Sequence, residues 1–177
     1  MSMNLPNKLT MFRVILIPVF IVVLMTGLIA DPINRYIATV IFCVASFTDY
    51  LDGHIARKYN LVTNFGKFMD PLADKLLVSS ALICMIEMGM LPAWIVIIII
   101  SREFIITGFR LIAAEGGLVI AASWWGKIKT VTQMIMIILL LLGVQGIIAT
   151  ILIFLATLFT VISGVDYIVK NISILRN

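Results

Sequence analysis

The chain has 177 residues, of which 62% are hydrophobic and only 12% are charged. A soluble protein of this length cannot bury so much apolar surface, so the composition excludes a water-soluble globular domain. The formal net charge of +4 does not indicate nucleic-acid binding, because the basic residues lie beside apolar segments, where such residues set the orientation of membrane proteins. The sequence predicts an all-α integral membrane protein with one polytopic domain covering residues 1–177.

Six apolar segments are long enough to cross a bilayer, which takes about 20 residues of α-helix. We predict spans at roughly 11–29, 33–57, 66–88, 91–112, 127–145 and 147–169. A short juxtamembrane helix is expected before the first span, near Pro6, and Pro18 is expected to bend that span without ending it. The stretch 116–125 is too short to span and is expected to be an interfacial loop that holds Trp124 and Trp125 at headgroup depth.

The basic residues are concentrated at every second connection and at both termini. The three opposite connections contain only Arg35. By the positive-inside rule, both termini and the connection between the second and third spans should face the cytoplasm. The first residues lack the charge pattern and the cleavage site of a signal peptide, so the first span is expected to be retained.

Four of the chain's nine acidic residues are aspartates that flank the connection between the second and third spans. Asp49 and Asp52 are three residues apart and Asp70 and Asp74 are four apart, so each pair shares one face of its helix. Because the two helices are antiparallel, the four carboxylates should lie at a similar depth near the cytoplasmic boundary. Pro71 favours either the first turn of its helix or a kink.

Ionisable residues inside a membrane are costly and are interpreted as functional by default. Carboxylate oxygens suit hard divalent cations such as Mg²⁺ and Mn²⁺. Two such ions can stabilise the attacking and leaving oxygens of a phosphoryl transfer. A buried polar packing network, or a proton or cation path through a transporter, would explain the same residues, and both alternatives stay open at this point.

The spacing Asp-x2-Asp-Gly-x2-Ala-Arg-x8-Gly-x3-Asp-x3-Asp, which residues 49–74 match at every fixed position, resembles the signature of the CDP-alcohol phosphatidyltransferase family. The resemblance implies six transmembrane helices, usually in a homodimer, with a cytoplasm-facing active site in the plasma membrane of a bacterium. It implies CDP-diacylglycerol as the donor substrate and Mg²⁺ or Mn²⁺, as two ions, as the cofactor. The resemblance implies that the metal ligands are the four aspartates of the motif, Asp49, Asp52, Asp70 and Asp74. It also implies that Asp74 is the general base.

The same resemblance implies which residues contact the CDP-diacylglycerol. Gly53 would allow close backbone approach, and Arg57 would bind diphosphate oxygens through its forked donors. The remaining candidates are Thr63, Thr10 and Arg13. His54 is the only histidine and stands at a variable motif position, so a catalytic role is not expected for it.

Three further stretches, at 6–13, 101–110 and 126–133, resemble the members of that family whose acceptor is glycerol 3-phosphate. A phosphorylated acceptor needs cations beside a carboxylate-lined cavity, whereas serine or a neutral polyol does not. The candidates for binding the acceptor phosphate are Arg110, Lys67, Lys127, Lys129 and Arg102. Alternatives stay open for several of these residues. The two lysines of 126–133 would also serve as anchors of the fifth span at the membrane interface, and Arg102 would also pair with Glu103 or another carboxylate. The acceptor itself could instead be serine, inositol phosphate or phosphatidylglycerol.

Overall fold

The computed structural model describes residues 4–59, 64–115 and 123–172. Within these ranges the chain forms six α-helices and no β-strand, which confirms the all-α class. In chain order the helices are α1 (Leu5–Met25), α2 (Ile33–Lys58), α3 (Asn64–Glu87), α4 (Ala93–Glu115), α5 (Trp124–Leu141) and α6 (Gly146–Asn171).

The largest difference from the predicted boundaries is at the start of α1. The expected separate juxtamembrane helix is wrong, because α1 is continuous from Leu5. Asn4 caps it by accepting a hydrogen bond from the Asn7 amide at 3.1 Å, and Pro6 lies in the first turn, where its missing amide costs nothing.

The helix α5 begins earlier than expected. Its first turn contains Trp124 and Trp125, so the predicted loop at 116–125 is wrong for these two residues. The Ser123 hydroxyl accepts a hydrogen bond from the Gly126 amide at 3.1 Å and so caps this helix. Residues 116–122 lie outside the described residues.

The two helix-internal prolines do not end their helices. The helix α1 continues through Pro18, as predicted. Because α3 begins at Asn64, Pro71 lies in its interior, and the first-turn alternative for Pro71 is wrong. The helix α1 ends just before Gly27, whose φ of +69° is a left-handed conformation that glycine adopts without a steric penalty.

Within the described residues, three helices are long and apolar enough to cross a membrane: α1, α5 and α6. The helix α6 exposes large apolar side chains along its length, among them Ile147, Phe154 and Val165. Exposed apolar surface on such a helix is suited to lipid rather than to water. The protein is therefore membrane-embedded.

The chain divides into two compact units, one with α1 to α3 and the other with α4, most of α5 and α6. In the first unit, α1 packs against α2 and α3, and Phe20 meets Phe42 with 6.2 Å between ring centroids. Small residues on the buried faces of α2 and α3 allow this close approach; they are Ala38, Ala45, Ala73 and Ala81.

In the second unit, α4 packs against α6. Phe109 and Tyr167 meet edge to face at 6.4 Å between centroids. Gly164 allows Arg102 to pass close to α6, because a Cβ at this glycine would lie 3.3 Å from the Arg102 Cγ. The second unit therefore has its own packed core, with one long cationic side chain inserted between two helices.

Candidate active site

The buried face of α1 carries two polar residues among apolar ones. Its buried residues recur every three or four positions, which is the period of one helix face, and they are Pro6, Thr10, Arg13, Ile17, Phe20 and Leu24. The Thr10 and Arg13 side chains have no exposed surface. A buried charge and a buried hydroxyl both require partners, and both find them in the predicted aspartates.

Arg13 binds two of these aspartates with its guanidinium group. Its Nη1 lies 2.8 Å from Asp49 Oδ1, and its Nη2 lies 2.5 Å from Asp52 Oδ2. Its Nε donates to the Ala45 carbonyl at 3.2 Å. One planar, forked cation therefore fixes two carboxylates and a backbone carbonyl of α2.

Thr10 connects α1 to the third aspartate. Its hydroxyl donates to Asp70 Oδ1 at 2.5 Å and lies 3.5 Å from Asp52 Oδ2. Since a hydroxyl has a single proton to donate, the short contact with Asp70 is the stronger one, strengthened by the charge of the carboxylate. Thr10 thus links α3 to α1, and Arg13 links α2 to α1 at the same level.

The structure therefore brings Asp49, Asp52 and Asp70 together, at the matching depth expected from the antiparallel arrangement of α2 and α3. Asp52 is 1% exposed, whereas the Asp49 side chain is 39% exposed. The cluster consequently extends from the packed interior to an accessible edge. Asp74 lies one turn beyond Asp70 on α3.

The donor chemistry of this cluster fits a hard divalent cation, because Asp49, Asp52 and Asp70 all offer carboxylate oxygens. Within the part of the chain that the structure describes, no three acidic, histidine or cysteine side chains are grouped closely enough to hold a metal ion. Arg13 and Thr10 each contact one oxygen of the aspartates: Oδ1 of Asp49, Oδ2 of Asp52 and Oδ1 of Asp70. A carboxylate has two oxygens, so a bound partner on one does not prevent metal ligation by the other.

The residues expected to contact CDP-diacylglycerol are placed only in part. Gly53 follows Asp52 directly on α2. Arg57 lies near the end of α2, but its side chain is outside the described part. The same holds for the side chain of Lys67 on α3, a candidate for binding the acceptor phosphate. Thr63 lies outside the described residues. Their predicted contacts with substrates stay predictions.

The second unit contains a separate network of charged residues. Arg102 donates through Nη2 to the Ser163 hydroxyl, and its Nη1 lies 3.4 Å from Glu103 Oε1. The same Glu103 oxygen is ion-paired with Lys129. Lys129 is only 3% exposed, so its burial favours a role inside the fold over the alternative of an interfacial anchor.

Arg102 and Arg110 share a face of α4, as the spacing predicted, and both side chains contact α6. Arg102 meets Ser163. The Arg110 guanidinium lies 5.9 Å from the ring centroid of Tyr167, which is one helical turn after Ser163 on α6. Lys127 is exposed and lies over the Trp124 ring at 5.6 Å. Sequence reasoning missed Ser163 and Tyr167, although their spacing of four on α6 was a signal for a shared face.

Fold and site together define a class: a membrane-embedded helical protein with an acidic centre suited to divalent metal chemistry. A family model described as CDP-alcohol phosphatidyltransferase matches residues 3–162. The chain belongs to this family, which confirms the resemblance of the aspartate motif, and it is an enzyme of the phosphatidyltransferase class.

Similar proteins of known name cover nearly the whole chain. The CDP-diacylglycerol–glycerol-3-phosphate 3-phosphatidyltransferase of Bacillus subtilis is 47% identical, with 95% of each chain covered. The protein of that name from Haemophilus influenzae is 43% identical, covering 95% of this chain and 93% of its own. A probable phosphatidylglycerophosphate synthase of Mycobacterium tuberculosis is 42% identical, covering 94% of this chain and 81% of its own.

Proposed function

We propose that the protein transfers the phosphatidyl group of CDP-diacylglycerol to sn-glycerol 3-phosphate, which gives phosphatidylglycerophosphate and CMP. The observation that carries the proposal is the convergence of Asp49, Asp52 and Asp70 around Thr10 and Arg13, in a chain of the CDP-alcohol phosphatidyltransferase family. The names of the similar bacterial proteins support glycerol 3-phosphate as the acceptor.

In this proposal the four aspartates Asp49, Asp52, Asp70 and Asp74 hold Mg²⁺ or Mn²⁺, as two ions. Divalent ions bound there would supply electrostatic stabilisation of the charge that develops on the diphosphate oxygens. The protein contributes an acidic site on two helices whose orientation is fixed by their packing on α1.

Asp74 acts as the general base. It accepts the proton of the free primary hydroxyl of glycerol 3-phosphate, and the resulting oxygen attacks the phosphatidyl phosphorus. The phosphorus–oxygen bond to CMP breaks as the new bond forms, and CMP leaves with the electron pair of that bond. Gly53, Arg57 and Thr63 bind the CDP moiety. A direct CDP contact of Thr10 or Arg13 stays a prediction.

The phosphate of the acceptor is bound by basic residues drawn from Arg110, Arg102, Lys127, Lys129 and Lys67. Arg110 is the strongest candidate, because its side chain is exposed. Arg102 and Lys129 already have protein partners in Ser163 and Glu103. These two residues would therefore act beside Arg110 rather than in its place.

We further propose the setting in which this reaction occurs. All six helices cross the plasma membrane of a bacterium, and both termini and the active site face the cytoplasm, as the distribution of basic residues favours. The whole chain, residues 1–177, works as one catalytic domain and assembles as a homodimer. CDP-diacylglycerol enters from the surrounding lipid with its acyl chains still in the bilayer.

Replacing Arg110 with glutamine tests the acceptor. We expect the KM for glycerol 3-phosphate to rise about 10- to 100-fold, because a hydrogen bond to a charged group contributes about 1.5–3 kcal/mol and 1.4 kcal/mol is a factor of ten. Release of CMP at varied glycerol 3-phosphate gives KM and kcat separately, and kcat should change much less.

Arg35→Gln is the matched control, because Arg35 is paired with Asp31 on the predicted outer side. An unchanged KM in Arg110→Gln would remove Arg110 from the acceptor site. If CMP release by the wild-type protein did not depend on glycerol 3-phosphate, the proposed reaction itself would be wrong.

A further inference from the structure

Three aspartates of the candidate site are each held by α1 through a single oxygen. Arg13 contacts Asp49 through Oδ1 and Asp52 through Oδ2, and Thr10 contacts Asp70 through Oδ1. These contacts come from two residues, one turn apart, on the buried face of one helix. One helix thus sets the orientation of carboxylates that belong to two others.

We propose that Thr10 and Arg13 are positioning residues for the metal ligands: they fix the side-chain orientations of Asp49, Asp52 and Asp70 and thereby raise the affinity of the site for a divalent cation. The proposal rests on the metal site of the proposed function. Partners that hydrogen-bond to a ligating carboxylate fix its direction, and losing one typically costs about 10- to 100-fold in metal affinity.

The burial of the two residues favours this role over direct substrate contact. Neither side chain has any exposed surface, whereas the Asp49 side chain is 39% exposed, so a ligand that approaches the accessible edge of the cluster meets Asp49 before it meets Thr10 or Arg13. Arg13 has a further anchor, because its Nε donates to the Ala45 carbonyl. The single proton of the Thr10 hydroxyl is used by Asp70, so Thr10 is held in place by the packing of α1 around it.

Thr10 and Arg13 hold different helices. Arg13 fixes two aspartates to each other and to the backbone of α2, and its charge partly offsets theirs. Thr10 fixes the aspartate of α3 relative to α1 without changing the charge of the site. Thr10 is for this reason the cleaner residue to test, because its replacement changes orientation and leaves the electrostatics almost intact.

The test measures Mn²⁺ affinity of the purified, full-length protein in detergent micelles, from the electron paramagnetic resonance signal of free Mn²⁺. Thr10→Val keeps the volume and removes the hydroxyl, and we expect it to weaken Mn²⁺ binding about tenfold or more. Thr10→Ser keeps the hydroxyl and should bind Mn²⁺ like the wild-type protein. Thr26→Val is the matched control, because the Thr26 hydroxyl donates to the Val22 carbonyl at the exposed end of α1.

Arg13→Lys provides a second, independent variant. Lysine keeps the positive charge but cannot reach two carboxylates and a carbonyl at once, so we expect weaker Mn²⁺ binding here too. Wild-type affinity in both Thr10→Val and Arg13→Lys would overturn the positioning role while leaving the metal site in place. A wild-type protein that binds no Mn²⁺ would overturn the proposed metal site and the positioning role together.

Discussion

Asp74→Asn is expected to lower kcat for CMP release by about 10²- to 10⁴-fold, which is the usual contribution of a positioned general base. Asparagine has nearly the shape of aspartate, so packing on α3 is retained, but its amide cannot accept the proton of the acceptor hydroxyl. Initial rates of CMP release at saturating CDP-diacylglycerol and glycerol 3-phosphate measure this change.

Asp31→Asn is a suitable control for this substitution. Asp31 is more than half exposed and is paired only with Arg35 in the part of the chain that the structure describes, so its turnover should match that of the wild-type protein. Normal turnover in Asp74→Asn would exclude Asp74 as the base and would require another proton acceptor.

Arg13→Gln is expected to destabilise the fold by about 3–5 kcal/mol, because removing one partner of a buried ion pair leaves an uncompensated buried charge. That charge is Asp52, which is 1% exposed and lies 2.5 Å from the guanidinium. The free energy of unfolding in mixed micelles of detergent and denaturing surfactant measures the loss.

A double-mutant cycle identifies the origin of the stability that Arg13→Gln loses. Adding Asp52→Asn to Arg13→Gln removes the orphaned charge, so the double variant should recover much of the lost stability. Arg35→Gln, which breaks an exposed pair with Asp31, should cost no more than about 1 kcal/mol. Equal losses in Arg13→Gln and Arg35→Gln would contradict a buried, tightly coupled pair.

The sequence was sufficient to predict the helices and the grouping of the aspartates. Long apolar runs bounded by glycine, proline and charge predict where helices begin and end. Residues three and four apart place Asp49 with Asp52 and Asp70 with Asp74. A short connection between α2 and α3 then fixes the relative depth of the two pairs, and the structure confirms this for Asp49, Asp52 and Asp70.

The sequence was not sufficient to predict which helix holds the aspartates in place. Helical periodicity shows which residues share a face, but it does not show which neighbouring helix that face meets. A signal was nevertheless present: Thr10 and Arg13 follow the same three-and-four spacing as Ile17 and Phe20. A charged residue within such a buried stripe requires a buried partner, and the four aspartates were acidic candidates predicted near the same cytoplasmic boundary as Thr10 and Arg13.

Two smaller differences between sequence and structure have physical causes of the same kind. A separate short helix is expected near Pro6, although Asn4 and Pro6 together are typical of the start of a helix that continues. The sequence leaves open whether Lys129 is an interfacial anchor, because the pairing of Glu103 on α4 with Lys129 on α5 depends on how the two helices are rotated about their axes. Rotation of this kind is decided by packing, which hydropathy does not report.

The measurement that tests metal-dependent phosphatidyl transfer most directly is CMP release from CDP-diacylglycerol by the purified protein, before and after chelation. Glycerol 3-phosphate, serine, inositol phosphate and phosphatidylglycerol are each supplied as the acceptor. We expect release with glycerol 3-phosphate only, its loss on addition of chelator, and its recovery with excess Mg²⁺ or Mn²⁺. Release that continues undiminished in chelator would contradict a metal site at the aspartates, and release with another acceptor would contradict glycerol 3-phosphate as the substrate.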